Sequence, residues 1–216
     1  MKKTDIVIFG SGGHAKVVFD IVQKQQKFNT IGFVGADTSL SEFQGLRHFH
    51  QDQFLDLKCN FGIVAIGDNS VREDVVKSVL STHPLFNFIV AVHPSVQIGQ
   101  DVCFGAGSVV MAGVNINSGT QIGKHCIINT GSNVDHDCSL QDFSSLAPGC
   151  ALGGAVKIGY ASAVSIGAQI IHGINIGDQT VIGAGSTVLQ DIENSVIAYG
   201  TPCKTIRRRS RGEKYL

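Results

Sequence analysis

Every sixth residue from Ile98 to Val188 is aliphatic or aromatic, sixteen positions in succession without one slip. The series begins Ile98, Phe104, Val110 and Ile116, and ends Ile170, Ile176, Ile182 and Val188. Two residues before many of its members stands a small or β-branched residue, among them Ser108, Thr120, Cys126, Ser132, Cys138, Ser144, Cys150, Ser162, Thr180 and Ser186. A hexapeptide period of this kind is the signature of a β-helix, in which each coil buries its apolar positions against its neighbours. Composition agrees: 26 glycines beside 43% hydrophobic residues imply many tight turns rather than disorder. Cys126, Cys138 and Cys150 fall on the small interior position, which makes them packing residues. None of the six cysteines has C-x-x-C spacing, so no zinc site is expected.

The first ninety or so residues carry a different period. "DIVIFG" (5–10) reads as a buried strand, followed by a helix from His14 to about Lys27 with Val17, Val18, Ile21 and Val22 on one face. "TIGFVGAD" (30–37) and "FGIVAIGDN" (61–69) read as further strands. A second helix starts on a Ser70-x-x-Glu73 capping box, and "FNFIVAVHP" (86–94) closes this half. Strands separated by helices imply parallel βαβ units in a doubly wound, Rossmann-like sheet. The expected division is 1–92 for an α/β domain and 93–216 for the all-β helix with its C-terminal tail.

Lys and Arg together number 17, as do Asp and Glu. This balance lacks the basic footprint of nucleic-acid or membrane-surface binding. No apolar run approaches the ~20 residues of a membrane span, and the short run after the N-terminal lysines is followed by no cleavage site. A cytoplasmic protein is expected.

One step of the ladder, "GSNVDHDCSL" (131–140), sets a histidine between two aspartates. His136 comes two residues after the interior Val134, so its side chain should point off the prism. An outward imidazole beside a carboxylate suits general-base work, because the carboxylate holds one ring nitrogen while the other takes a proton. The same residues also suit a solvated turn. Gly10, Ser11, Gly12, Gly13, His14 and Ala15 satisfy G-x-G-x-x-A between a strand and a helix, a geometry that binds anionic phosphates through backbone N–H groups. Asp37, at the end of the second strand, stands roughly where a ribose-holding acid would. The half is nevertheless short for two mononucleotide units. An NAD-dependent oxidoreductase is the rival enzyme reading, and a non-catalytic or metal-binding β-helix the rival beyond it. His125 and His136 are off the repeat and His172 is taken as remote, so metal is not expected.

The ladder, together with "IVIFGSGGHAKVV" in front and "AYGTPCK" behind, resembles the bacterial sugar acetyltransferases of the sialic-acid O-acetyltransferase and UDP-4-amino-sugar N-acetyltransferase type. The resemblance spans about residues 4–207. It implies a left-handed β-helix, a homotrimer with active sites between subunits, and acetyl-CoA as co-substrate with no metal. His136 takes the place of the family's base and Asp137 that of its acidic partner. Asn129, Ser145, Gly154 and Lys204 are the expected cofactor contacts, with the basic run 207–209 suited to phosphates. Ser145 departs from the usual histidine. Gly10 to His14, Asp37, Asn69 and Arg72 are the expected contacts of the sugar nucleotide, although Gly35 and Ala36 stand where the family carries an acidic pair. The function so implied is acetylation of an amino group on a nucleotide-linked sugar, with O-acetylation of a sialic-acid-like sugar as the alternative.

Overall fold

The computed structural model describes residues 3–214. The N-terminal unit is a sheet of β1 (Thr4–Phe9), β2 (Phe28–Gly35), β3 (Glu42–Phe43), β4 (Leu46–His50), β5 (Phe61–Val64) and β6 (Asn87–Phe88), with helices α1 (Gly13–Gln25) and α2 (Asn69–Thr82). Its strand order is β3-β4-β2-β1-β5-β6, all parallel except the β3–β4 hairpin. The sequence reading missed that hairpin. Its turn is Gln44-Gly45, both in the left-handed region, and Gln is not a residue that advertises such a turn.

The rest is a left-handed parallel β-helix of two-residue rungs, stacked into sheets of eight, six and five strands, the first of which ends in an antiparallel C-terminal hairpin of Val196–Gly200 and Cys203–Arg208. Each coil takes 18 residues, so Val109 pairs with Ile127 and Asn115 with Asn133. The sixth-residue ladder fills the interior and is buried from Val110 to Val188; Ile98, on a sheet edge, is half exposed. The small position earns its residue types through hydrogen bonds to the following coil. The Ser108 hydroxyl donates to the Gly123 carbonyl at 2.7 Å and accepts from the Cys126 N–H at 3.0 Å. Cys126 and Cys138 thiols make the same kind of bond, each at 3.2 Å to a carbonyl fifteen residues on. All six cysteines are free.

"FNFIVAVHP" is not one strand. Asn87–Phe88 belongs to the N-terminal sheet, and Ala91–Val92 is already the first rung of the eight-stranded face. On that face the outward residues Ala91, Val109 and Ile127 are apolar. They pack against Ile6, Ile8, Val18 and Ile21 in a core shared with the N-terminal unit. The equivalent positions of the six-stranded face, Gln97, Asn115 and Asn133, are polar and exposed. Outward polarity therefore decides which face the α/β unit covers.

A polar weld completes the union. Arg72 is 1% exposed. Its guanidinium donates to the carbonyls of His125 (2.8 Å) and Phe143 (2.8 Å) on the prism, to those of Ile66 and Gly67 (both 3.0 Å), and to Asn69 Oδ1 (2.7 Å). Asn69 in turn donates to the carbonyls of Ala161 and Ser162. This corrects the expectation that Asn69 and Arg72 contact substrate: both are committed to joining the two units. The capping box is corrected too. Asp68 caps α2 by accepting from the N–H groups of Ser70 and Val71, which frees Glu73 to accept from Tyr160 Oη at 2.6 Å and from Arg211.

Candidate active site

Turns between rungs carry a left-handed residue at every sixth position from Asp101 to Gly185, glycine at eight of the fifteen. At Asp137 that position is an aspartate with φ 57°, tolerable because a short polar side chain offsets part of the steric cost. The turn brings the Asp137 carboxylate back onto the ring before it, with Oδ2 2.8 Å from His136 Nδ1. Asp135 points elsewhere: its Oδ1 accepts from Asn117 Nδ2 at 2.8 Å and from the His136 backbone N–H at 2.8 Å. Asp137, not Asp135, is therefore the carboxylate on the ring. It raises the His136 pKa above its ordinary value, first through that hydrogen bond, with the charge of Asp135 adding to it.

The pair is held between the coils on either side. Ala155 N–H donates to the His136 carbonyl and Asp137 N–H to the Ser118 carbonyl. A Cβ on Gly119, one coil earlier, would lie 2.6 Å from Asp137 Oδ1. One on Gly154, one coil later, would lie 2.6 Å from both Cε1 and Nε2 of His136. Gly154 thus leaves the space in which the imidazole lies. A Gly154→Ala variant is expected to keep its melting temperature within a few degrees yet lose roughly 10–100-fold in kcat, because the ring must move by about an ångström. Unchanged kcat in a folded variant would show that ring placement is not critical.

His136 also lines a cleft of about 560 Å³ with Gly153, Gly154, Ile171, His172 and Gly173. The reading of His172 as remote is corrected here. It stands 36 residues after His136, two coils of 18, on the same corner; counting from His136 rather than His125 would have found it. Among the described residues no three His, Cys, Asp or Glu side chains come together as a metal site.

The other expected residues lie apart within one chain. Asn129 and Ser145 line a groove of about 440 Å³ on the eight-stranded face with His14, Gly67, Ser165 and Ile166. His14, in the glycine loop, has its pKa lowered to about 4, by burial first and then by the charge of Arg72. Gly10 and Ser11 line a third cleft of about 770 Å³ at the ends of β1 and β2, between the 3-10 turn Gln51–Leu57 and α2. The Cβ positions of Gly12 and Gly13 are open, while the Asp37 carboxylate is turned onto Ser39 and is not part of that cleft. Lys204 is exposed on the C-terminal hairpin, after a cis Thr201–Pro202 bond. The arginines beyond it are tied down: Arg207 pairs with Glu213, Arg208 with Glu193, and Arg209 is buried, donating to the carbonyls of Gln179 and Glu213. Arg207 and Arg208 thus form ion pairs at the surface, and only Arg209 is taken into the interior.

A hexapeptide prism with a histidine–carboxylate pair on its corner, joined to a small α/β unit, defines a class: β-helical acyltransferases with a Rossmann-like N-terminal domain. Residues 5–79 match the PglD N-terminal domain family. A GDP-perosamine N-acetyltransferase from Caulobacter crescentus, solved with CoA and GDP-perosamine, is 36% identical over 94% of this chain and 97% of its own, with a TM-score of 0.88. The acetyltransferase domain of PglB from Neisseria gonorrhoeae, solved with acetyl coenzyme A, is 27% identical over 95% of this chain and 100% of its own, with a TM-score of 0.86. Curated relatives match over shorter stretches. The galactoside O-acetyltransferase of Escherichia coli is 44% identical over 54 residues, 24% of this chain and 27% of that protein. The chain thus spans about a quarter of the length of the curated relatives it matches. It belongs to the bacterial sugar acetyltransferases.

Proposed function

We propose that the protein transfers the acetyl group of acetyl-CoA to the amino group of a nucleotide-linked amino sugar. The observation that carries this reading is the His136–Asp137 pair, presented on an exposed corner and seated over Gly154. With Nδ1 held by Asp137, Nε2 is the ring nitrogen left to accept the proton released as the amine attacks the thioester carbonyl. The C–N bond forms, the C–S bond breaks, and the thiolate leaves with a proton returned through the imidazole. The Gly154 N–H has no partner among the described residues and is available to the oxyanion. Relatives of known structure bind CoA and a nucleotide amino sugar, which supports both substrates here.

Within one chain the His136 corner and the groove of Asn129, Ser145 and His14 are separate. A trimer, with the corner of one subunit set against the groove of the next, would unite them. Free cysteines suit a reducing compartment, and the cytoplasm is the proposed location; no helix of the described residues is long and apolar enough to cross a membrane. The direct test is thiol release from acetyl-CoA across UDP-, GDP-, dTDP- and CMP-linked amino sugars, with hydroxyl-only sugars as the contrast. Release with the hydroxyl sugars alone would replace N- by O-acetylation.

The carboxylate makes a separable prediction. Because Asp137 raises the His136 pKa, removing its charge lowers it, and a lower pH is then needed before the base protonates. Asp137→Asn should therefore move the acidic limb of the kcat/KM profile to lower pH, with a smaller kcat loss than removal of the histidine. If Asp135→Asn moves that limb and Asp137→Asn does not, the partner is assigned wrongly.

A further inference from the structure

The cleft at the ends of β1 and β2 has a wall that is unusual for a nucleotide site. In a doubly wound sheet, the acid at the end of the second strand accepts hydrogen bonds from the ribose hydroxyls. Here that wall is Gly35 and Ala36. The nearest carboxylate in sequence, Asp37, accepts from Ser39 N–H at 2.9 Å and from Ser39 Oγ at 2.6 Å, and does not line the cleft. The fold also resists an acid at position 35: a Cβ there would lie 2.9 Å from Nε2 of His48, which is 5% exposed. Most of the remaining surface is hydrocarbon, including Phe9, Phe54, Val71 and Val75. The carboxylates that do reach the cleft already have partners, Asp52 lying 3.0 Å from His50 Nδ1 and Asp74 3.1 Å from the Arg211 guanidinium.

Resting on the reading of this cleft as the nucleotide site, we propose that it does not recognise the ribose 2′-hydroxyl and so accepts 2′-deoxyribonucleoside diphosphates, thymidine diphosphate among them, as readily as ribonucleotides. A site built to bond a hydroxyl strongly disfavours the analogue that lacks it, because its polar group is left unpaired; an apolar wall has nothing to leave unpaired. The substrate class is thereby widened from ribonucleotide to deoxyribonucleotide amino sugars.

Calorimetric titration of the full chain with the matched pairs UDP/dUDP and GDP/dGDP tests this, since each pair holds the base constant. For whichever base binds, the two affinities should agree within about threefold. Ala36→Asp, which puts a carboxylate on the open side of the wall, should introduce a preference of roughly tenfold for the ribonucleotide. If the wild-type protein binds the ribonucleotide tenfold or more tightly, the inference is overturned while the nucleotide reading of the cleft stands. If none of the four binds, and neither dTDP nor the pair CDP/dCDP binds either, the nucleotide reading itself fails, and the inference with it.

Discussion

Replacing His136 by alanine is expected to lower kcat by roughly 10²–10⁴-fold, the usual contribution of a positioned general base. The fold should survive, because the side chain is 60% exposed and its one ring partner, Asp137, is itself 69% exposed. No buried group is left unsatisfied when the ring goes: Asp137 turns to water, and the backbone bonds of the coil, His136 carbonyl to Ala155 and Asp137 N–H to Ser118, do not involve the side chain. Circular dichroism and melting temperature should therefore match the parent while thiol release falls. The KM for acetyl-CoA should change little, since the ring acts on the proton in flight rather than on the bound cofactor. His172 supplies an internal control. It lines the same cleft two coils away, but among the described residues no carboxylate holds its ring, so His172→Ala should cost far less in kcat. Near-parental turnover in His136→Ala would remove the acid–base role, and a large loss in His172→Ala alone would transfer it.

What the sequence made legible was whatever repeats. The sixth-residue ladder announces the interior of the prism because every coil imposes the same demand. The offset of two from Val134 placed His136 outside on the same logic. Adjacency alone left Asp135 and Asp137 equal candidates, and only the resemblance favoured Asp137. The left-handed turn that carries its carboxylate back to the ring shows in the structure. Contacts made between units, by contrast, left no periodic trace. Asn69 and Arg72 match a pattern that looks like ligand binding, yet nothing local shows that the start of α2 faces the prism. A fully buried arginine is also rare enough that the exposed or phosphate-bound readings come first. Ser70-x-x-Glu73 has the spacing of a capping box, but Asp68 stands two residues nearer and captures the free N–H groups, while the prism offers Glu73 a better partner in Tyr160. The arginines at 207–209 looked available because their acidic partners, Glu193 and Glu213, become neighbours only through the last hairpin and coil. Local chemistry was readable where one chain segment makes the whole environment, and misleading where a distant segment completes it.

Arg72 supports the second large prediction. Arg72→Met keeps much of the side-chain length but removes every donor, stranding the carbonyls of Ile66, Gly67, His125 and Phe143 and the Asn69 side-chain oxygen in a buried seam. Unsatisfied buried acceptors cost about 1–3 kcal/mol each before relaxation and water entry. A net loss of about 3–5 kcal/mol is expected, on the scale of breaking a buried charged network, lowering the melting temperature by about 10 °C or more in a chain of this size. The pH dependence identifies the mechanism. His14 and His125 both have pKa values lowered to about 4 from 6.5, by burial first and by the Arg72 charge second. The unfolded chain thus binds more protons than the folded one between these values. Their contribution to stability is complete above pH 6.5 and is lost as the pH falls toward 4. Without Arg72 the two histidines are less depressed, so the variant has less to lose on acidification. The stability gap between parent and Arg72→Met, measured by urea unfolding, should be widest above pH 6.5 and narrow as the pH is lowered toward 4. A gap that stays constant over that range would mean that the guanidinium acts only as a hydrogen-bond donor, and a gap below about 1 kcal/mol throughout would mean that the seam between the two units is not held by it.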